Sequence, residues 1–198
     1  MSEPVLRNPL DGRALAFRRD RRREVLRIEE IPLRPRLGLR AEEETARRIG
    51  AALGLELPGA MLRAAAGEGI AALRLGPDEW LLLADGGDAD GWLAAVTDAA
   101  GGAHVAAVDL SHRFAEIRLA GPVAGEVLAA GCPLDLDAGV APPGFASRSL
   151  LGKCEIVLWR LARDRFGLLA GRSFAEYVWL FLEHAAAEHG TATSVAPR

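Results

Sequence analysis

Apolar positions along this chain follow one rhythm, and that rhythm occurs twice. Val25-Leu26-Arg27-Ile28 reads as a strand-like segment, and Leu37 and Leu39 alternate with other residues in the next one. Alternation at period two marks a half-buried strand. At an offset of 80 residues, Val105-Ala106-Ala107-Val108 matches the first segment, and Ile117 and Leu119 match Leu37 and Leu39. A helical stretch follows in each half. Ala41 to Leu53 carries Glu42, Glu43 and Glu44 in its first turn, where the helix dipole favours anions, then Arg47 and Arg48, with Gly54 placed to end it. Its counterpart runs from Pro122, suited to a first helical position, to Gly131.

The correspondence continues. Leu55-Glu56-Leu57-Pro58 is answered by Leu134-Asp135-Leu136, and a looser loop follows each, longer in the second half around Pro142-Pro143-Gly144. Paired strands are then predicted at Ile70 to Leu75 with Glu79 to Ala84, and at Cys154 to Leu161 with Arg165 to Ala170, which aligns Trp80 with Phe166. Each half closes on a helix with an aromatic anchor: Asp88 to Ala100 with Trp92, and Ser173 to Glu188 with Trp179.

The predicted fold class is therefore α+β. Two strand–strand–helix–strand–strand–helix units, residues 25–103 and 104–190, form one pseudo-twofold body, since two units with one apolar sheet face each bury those faces best together. Chance similarity between two α+β stretches is the competing reading. Residues 1–24 stand outside the repeat as a basic N-terminal arm, either flexible or a peripheral strand, and 191–198 form a C-terminal tail.

Composition narrows the classes. The 198 residues are 50% hydrophobic and 26% charged, which suits a globular chain able to fold without disulfides or metal. A net charge of −3 lacks the basic excess of a nucleic-acid binder. The run Arg18-Arg19-Asp20-Arg21-Arg22-Arg23 has Phe17 as its single aromatic neighbour, so it reads as a solvated arm or as a dock for an acidic partner. Cys132 and Cys154 form no CxxC pair, and residues 1–8 lack the apolar stretch of a signal peptide. Reduced thiols in a cytoplasm are expected. No run approaches eighteen uninterrupted apolar residues, so no membrane span is expected. Lys153 is the one lysine among 24 basic residues, a bias typical of GC-rich bacterial genes.

Motifs for chemistry are weak. His104, His112, His184 and His189 have no ligand spacing with the cysteines, and no metal is expected. Gly67-Glu68-Gly69 followed by Ile70 to Leu75 reads as a turn into a strand, whereas a dinucleotide fingerprint must open a helix. Gly152-Lys153 lacks the rest of a phosphate-binding loop. On a strand, Asp109 and Ser111 share a face while His112 points away, so Asp109 to Arg113 reads as a corner held by side-chain-to-backbone bonds. No catalytic, cofactor-binding or metal-ligating residue is assigned.

The last helix offers a surface instead. Ser173 and Glu176 suit a capping box, and Phe174, Val178, Phe181, Leu182 and Ala185 form one stripe for the core. Trp179 and Leu180 project outside it. Together with Arg21, Arg22 and Arg23 they are the candidate interface, the alternative being burial against the protein's own N-terminal segment.

Several segments carry a family resemblance: Asp109-Leu-Ser-His-Arg113, Gly121-Pro122, Gly131-Cys-Pro-Leu-Asp-Leu136, Leu150-Leu-Gly-Lys153, Trp159, Phe166-Gly-Leu-Leu169 and Arg172-Ser-Phe-Ala-Glu-Tyr-Val-Trp179. Leu75-Gly-Pro-Asp-Glu-Trp80 adds the first half. In combination these resemble the gamma subunits of heterotetrameric sarcosine oxidases over about residues 25–190. The resemblance implies the duplicated folate-binding fold of glycine-cleavage aminomethyltransferases. It also implies a cytoplasmic complex that demethylates sarcosine to glycine, making hydrogen peroxide and either formaldehyde or 5,10-methylenetetrahydrofolate. FAD, FMN and NAD are then expected on the alpha and beta subunits, tetrahydrofolate on a partner subunit and zinc on the delta subunit, with none on this chain. The segment Gly76-Pro77-Asp78-Glu79-Trp80 departs from the aminomethyltransferases' Gly-Gly-Ile-x-Asp-Asp segment, so a folate carboxylate is not carried over to Asp78 or Glu79. The readings in play are a non-catalytic subunit packed on a folate-binding-like part of the alpha subunit, a self-contained folate-binding one-carbon transferase, and a free-standing scaffold.

Overall fold

The strands that open the two halves change places. The computed structural model describes residues 7–20 and 23–197. A first strand, β1 (Ala14–Arg18), precedes the repeat. The first half then runs β2 (Glu24–Ile31), β3 (Arg36–Arg40), α1 (Glu43–Ala52), β4 (Ala64–Gly67), β5 (Ile70–Arg74), β6 (Glu79–Ala84) and α2 (Ala89–Ala100). The second runs β7 (Ala106–Asp109), β8 (Phe114–Ala120), α3 (Ala124–Ala129), β9 (Ala146–Leu151), β10 (Cys154–Ala162), β11 (Arg165–Gly171) and α4 (Ala175–Ala187), and β12 (Thr191–Ser194) follows. One sheet has the order β7-β3-β6-β5-β4, and the other contains the matching order β2-β8-β11-β10-β9, extended by β1 and β12 beside β2. Each sheet thus borrows its first strand from the opposite half. The duplication read from the apolar rhythm is real, and the exchange makes the two units one body.

The halves differ from the expected unit by one strand each. β4 and β9 occupy the segments read as loose loops. Ala64-Ala65-Ala66-Gly67 and Ser147-Arg148-Ser149 carry little β-branched or aromatic character, and as sheet-edge strands they are held by backbone pairing on one side. The loops before them also meet across the pseudo-twofold. Ala64 N–H donates to Gly144 O at 2.7 Å, and Ala146 N–H donates to Leu62 O at 3.1 Å. Leu62 and Gly144 both adopt left-handed φ, at 59° and 83°.

The boundaries 1–24 and 191–198 do not divide the structure. β1 buries Ala14, Ala16 and Phe17 and pairs along β2, while Leu15 faces Ser194 on β12. All four residues of β12 are exposed, so backbone hydrogen bonds rather than apolar pattern recruit that strand. In the arginine run, Arg19 N–H donates to Arg23 O at 3.1 Å and Arg23 N–H to Asp20 Oδ1 at 2.9 Å. Arg19, Asp20 and Arg23 thus lie in the connection between β1 and β2.

Four layers result. α3 and α4 cover the outer face of the seven-stranded sheet around Leu26, Ile117, Leu168 and Trp179. α1 and α2 cover the five-stranded sheet around Leu39, Ile49, Trp80 and Val96. A third core of Leu73, Leu81, Leu83, Val157, Trp159 and Leu169 glues sheet to sheet. Where the chain crosses between sheets, charge is buried. The fully buried Glu116 carboxylate on β8 accepts from Arg34 Nε at 2.9 Å and Nη2 at 2.8 Å, and from Arg36 Nη2 at 3.1 Å.

Candidate functional site

Away from the central core the two sheets diverge, and a groove of about 1580 Å³ opens between them. β3, β6 and β7 form one wall and β9, β10 and β11 the other, with Leu81, Val157 and Leu169 of the inter-sheet core at its base. Period-two geometry selects what faces it: Ala106, Val108 and Leu110 share one face, whereas Ala107 packs into the helix-covered core.

Two buried arginines shape the hairpins that flank the sheets. Arg74 lies 4.8 Å from the Trp80 ring and donates to the carbonyls of Gly59 and Pro77. Arg160 lies 4.9 Å from the Phe166 ring and donates to Leu136 O at 3.0 Å and Ala141 O at 2.7 Å. Trp80 and Phe166 are the aligned pair of the repeat, so one device recurs. Each guanidinium ties the loop after a helix to a β-hairpin, satisfying carbonyls that would otherwise be stranded.

The groove's charges divide into two groups. At one side Arg40 bonds Asp78 and Glu79, each at 3.1 Å, and Arg148 pairs with Glu79 while donating to Leu75 O at 3.2 Å. Asp78 and Glu79 are thereby committed to arginines of this chain. At the other side stand Arg113, Lys153 and Arg172, none of which has a carboxylate in ion-pair range among the described residues. These basic residues were not singled out from sequence, because they are scattered along the chain and only strand pairing assembles them.

The Asp109 to Arg113 corner is held as expected. The Ser111 hydroxyl donates to Asp109 Oδ1 at 2.5 Å and accepts the Arg36 N–H at 3.1 Å, and Ser111 N–H donates to the same carboxylate at 2.8 Å. Burial works against the Asp109 anion, but the two Ser111 hydrogen bonds outweigh it and hold the carboxyl below its usual range. The Ser111 hydroxyl thus bridges the Asp109 carboxylate and the Arg36 backbone and holds the corner. Gly67-Glu68-Gly69 is the turn of the β4–β5 hairpin. Cys132 and Cys154 are buried free thiols, and burial pushes the Cys154 thiol up, which suppresses the nucleophilic thiolate. Among the described residues no cluster of three or more His, Cys, Asp or Glu could hold a metal, and no helix is long and apolar enough to cross a membrane.

The interface expected on the last helix needs correction. Trp179 is 1% exposed and belongs to the core of the seven-stranded sheet, which also takes in Leu10 and Phe17. Leu180 is 43% exposed and Arg23 is exposed, while Arg21 and Arg22 lie outside the described residues. Phe174, assigned to the core stripe, is instead 53% exposed. The reason is local. Arg172–Phe174 form a 3-10 turn ahead of α4, and no side-chain cap bond fixes the helix start where the capping box placed it.

Comparison with known proteins bears on this architecture. The family described as "Sarcosine oxidase, gamma subunit family" matches residues 38–188. The sarcosine oxidase subunit gamma of Arthrobacter sp is 31% identical over 195 residues, covering 97% of this chain and 95% of that protein. That of Corynebacterium sp. (strain P-1) is 31% identical over 186 residues, covering 90% of each. A chain of the heterotetrameric sarcosine oxidase from Corynebacterium sp. U-96, solved with pyrrole 2-carboxylate, superposes with a TM-score of 0.78 at 31% identity over 86% of this chain and 88% of that one. The glycine cleavage system aminomethyltransferase T of Bartonella henselae shares the fold, with a TM-score of 0.55 at 17% identity over 77% of this chain and 44% of that one. Matched along most of its length in both sequence and fold, the chain belongs to the sarcosine oxidase gamma-subunit family.

Proposed function

We propose that this chain is the non-catalytic gamma subunit of a heterotetrameric sarcosine oxidase, the assembly that oxidatively demethylates sarcosine to glycine. Its partners are the alpha, beta and delta subunits in a bacterial cytoplasm. FAD, FMN, NAD and tetrahydrofolate reside on those partners, and this chain packs against the folate-binding-like part of the alpha subunit. There it supplies buried area and shields the site where reactive one-carbon intermediates move.

The observation that carries this reading is the end-to-end likeness to a chain of such an oxidase, 31% identical over 86% of this chain. The site chemistry points the same way. Asp78 and Glu79, the nearest counterparts of a folate-engaging carboxylate, are held by Arg40 and Arg148. The Ser111 hydroxyl is tied between the Asp109 carboxylate and the Arg36 backbone, and the two thiols meet only the Ser149 hydroxyl and the Glu155 carbonyl. A self-contained folate-binding transferase needs such a group free.

Co-expression tests the proposal. With the alpha, beta and delta chains present, omission of this chain is expected to lower the yield of assembled, flavin-loaded oxidase. Equal yield and activity without it sink the proposal, as does tight binding of tetrahydrofolate to the isolated chain in calorimetry.

A further inference from the structure

We infer that the groove between the sheets receives an extended, carboxylate-bearing segment of a partner subunit, laid against the free edge of β7. This rests on the subunit reading above and specifies which surface the complex uses.

Three features converge there. The first is an unprotected edge. The five-stranded sheet ends at β7, and Val108 on it is 54% exposed. Natural sheets blunt such edges with lysine, proline or a covering element. Residues Ala106 to Asp109 carry neither lysine nor proline, with Asp109 at the end as their one charge, and the face of Ala106 and Val108 lines the groove beside that edge. An extended peptide adding a strand supplies both the missing hydrogen bonds and alternate side chains for an apolar wall.

The second is size. At about 1580 Å³ the groove exceeds the roughly 300–1,000 Å³ of small-molecule sites. Leu150, 44% exposed, and Phe174, 53% exposed, also line it, and no described residue covers them.

The third is charge. Among the described residues, five cations and two carboxylates line the groove, and one of those carboxylates, Glu79, is already paired with Arg40 and Arg148. Arg113 and Arg172 are joined through the backbone, Arg172 N–H donating to Arg113 O at 2.9 Å. The Arg172 guanidinium donates through Nη2 to Arg7 O, while its buried Nη1 has no hydrogen-bond partner among the described residues. With Lys153 these groups form a basic end that Glu155 offsets only in part. Complementary charge of this kind selects an acidic occupant and its register more than it adds raw affinity.

The test uses the complete complex. Arg113 and Lys153 are exposed, so Arg113→Glu with Lys153→Glu leaves the fold intact, checked by thermal melting. Arg47→Glu with Arg163→Glu, also exposed, makes the same charge change elsewhere. The groove variant is expected to lose at least tenfold in apparent affinity for the co-expressed alpha, beta and delta chains, while the control retains it. A photo-crosslinking residue at Val108 is expected to mark one Asp- or Glu-bearing segment of a single partner subunit. Wild-type retention by the groove variant, or crosslinks only to a second copy of this chain, overturns the inference. Failure of the unmodified chain to join the complex instead sinks the subunit reading, a different result.

Discussion

Arg36 and Glu116 stand at corresponding positions of the two halves, 80 residues apart like Leu37 and Ile117, and their side chains meet at 3.1 Å with neither exposed. The pseudo-twofold thus runs through an ion pair made of one cation and one anion where the ancestral unit had a single residue type. Burial pulls the Arg36 guanidinium down from its ordinary range, and the facing Glu116 carboxylate opposes that pull. Arg36 also donates to Ser111 O at 3.1 Å, binding the crossover after β7 to the start of β3. The strand exchange is therefore locked at the point where the two halves cross.

Breaking that lock from one side leaves buried charge without a partner, which costs about 3–5 kcal/mol. Glu116→Leu strips Arg34, Arg36 and Arg118 of their shared acceptor and is expected to fall in that range, read as the urea midpoint. Arg36→Met combined with Glu116→Leu is expected to cost less than the sum of the single variants, by about 1–3 kcal/mol of coupling. Strict additivity shows that the two side chains do not sense each other.

The repeat was legible because its apolar spacing survived duplication. Leu37 and Ile117, Leu39 and Leu119, Trp80 and Phe166 all occupy matching places in the sheets. The exchange of β2 and β7 was not legible, since a strand's pattern shows that one face is buried but not which sheet buries it. Edge strands failed for a related reason. β4, β9 and β12 are held by backbone hydrogen bonds, and backbone groups carry no sequence signal. Trp179 was misplaced because angular position on a helix identifies one covered face, and here the core extends beyond that face to take in Trp179. The groove's basic end was hidden as well, since Arg113, Lys153 and Arg172 are brought together by pairing of strands far apart in sequence.

The second buried arginine device predicts a local failure. Replacing Arg160 with methionine keeps its apolar stem but removes donors to the carbonyls of Leu136 and Ala141. Each buried carbonyl left unmet costs about 1–3 kcal/mol. A loss of about 2–4 kcal/mol is expected, with faster amide exchange concentrated in residues 132–145. Arg160→Lys is expected to recover little, because an ammonium cannot reproduce the planar fork over Phe166. Uniform loss of protection across the fold, without a focus on that loop, argues that Arg160 serves the global core instead.

Glu30 gives the fold a pH dependence whose sign follows from its surroundings. Its side chain is 1% exposed on β2, and it accepts the Leu10 N–H at 3.1 Å and the Gly12 N–H at 2.6 Å, fastening the turn that leads into β1. Burial raises its carboxyl above the ordinary 4.5, and the two N–H donors offset that rise only in part. Above about pH 4.5 the folded chain holds this proton more tightly than the unfolded chain, so stability falls as pH rises. The contribution is complete below the unfolded value and lost once pH passes the folded one. Glu30→Gln cannot ionise and has no such slope. The stability gap between wild type and variant, from urea midpoints, is therefore expected to be wider at pH 4 than at pH 7. A gap that widens toward neutral pH means the ionised carboxylate is the form the fold prefers, with the two N–H bonds outweighing burial.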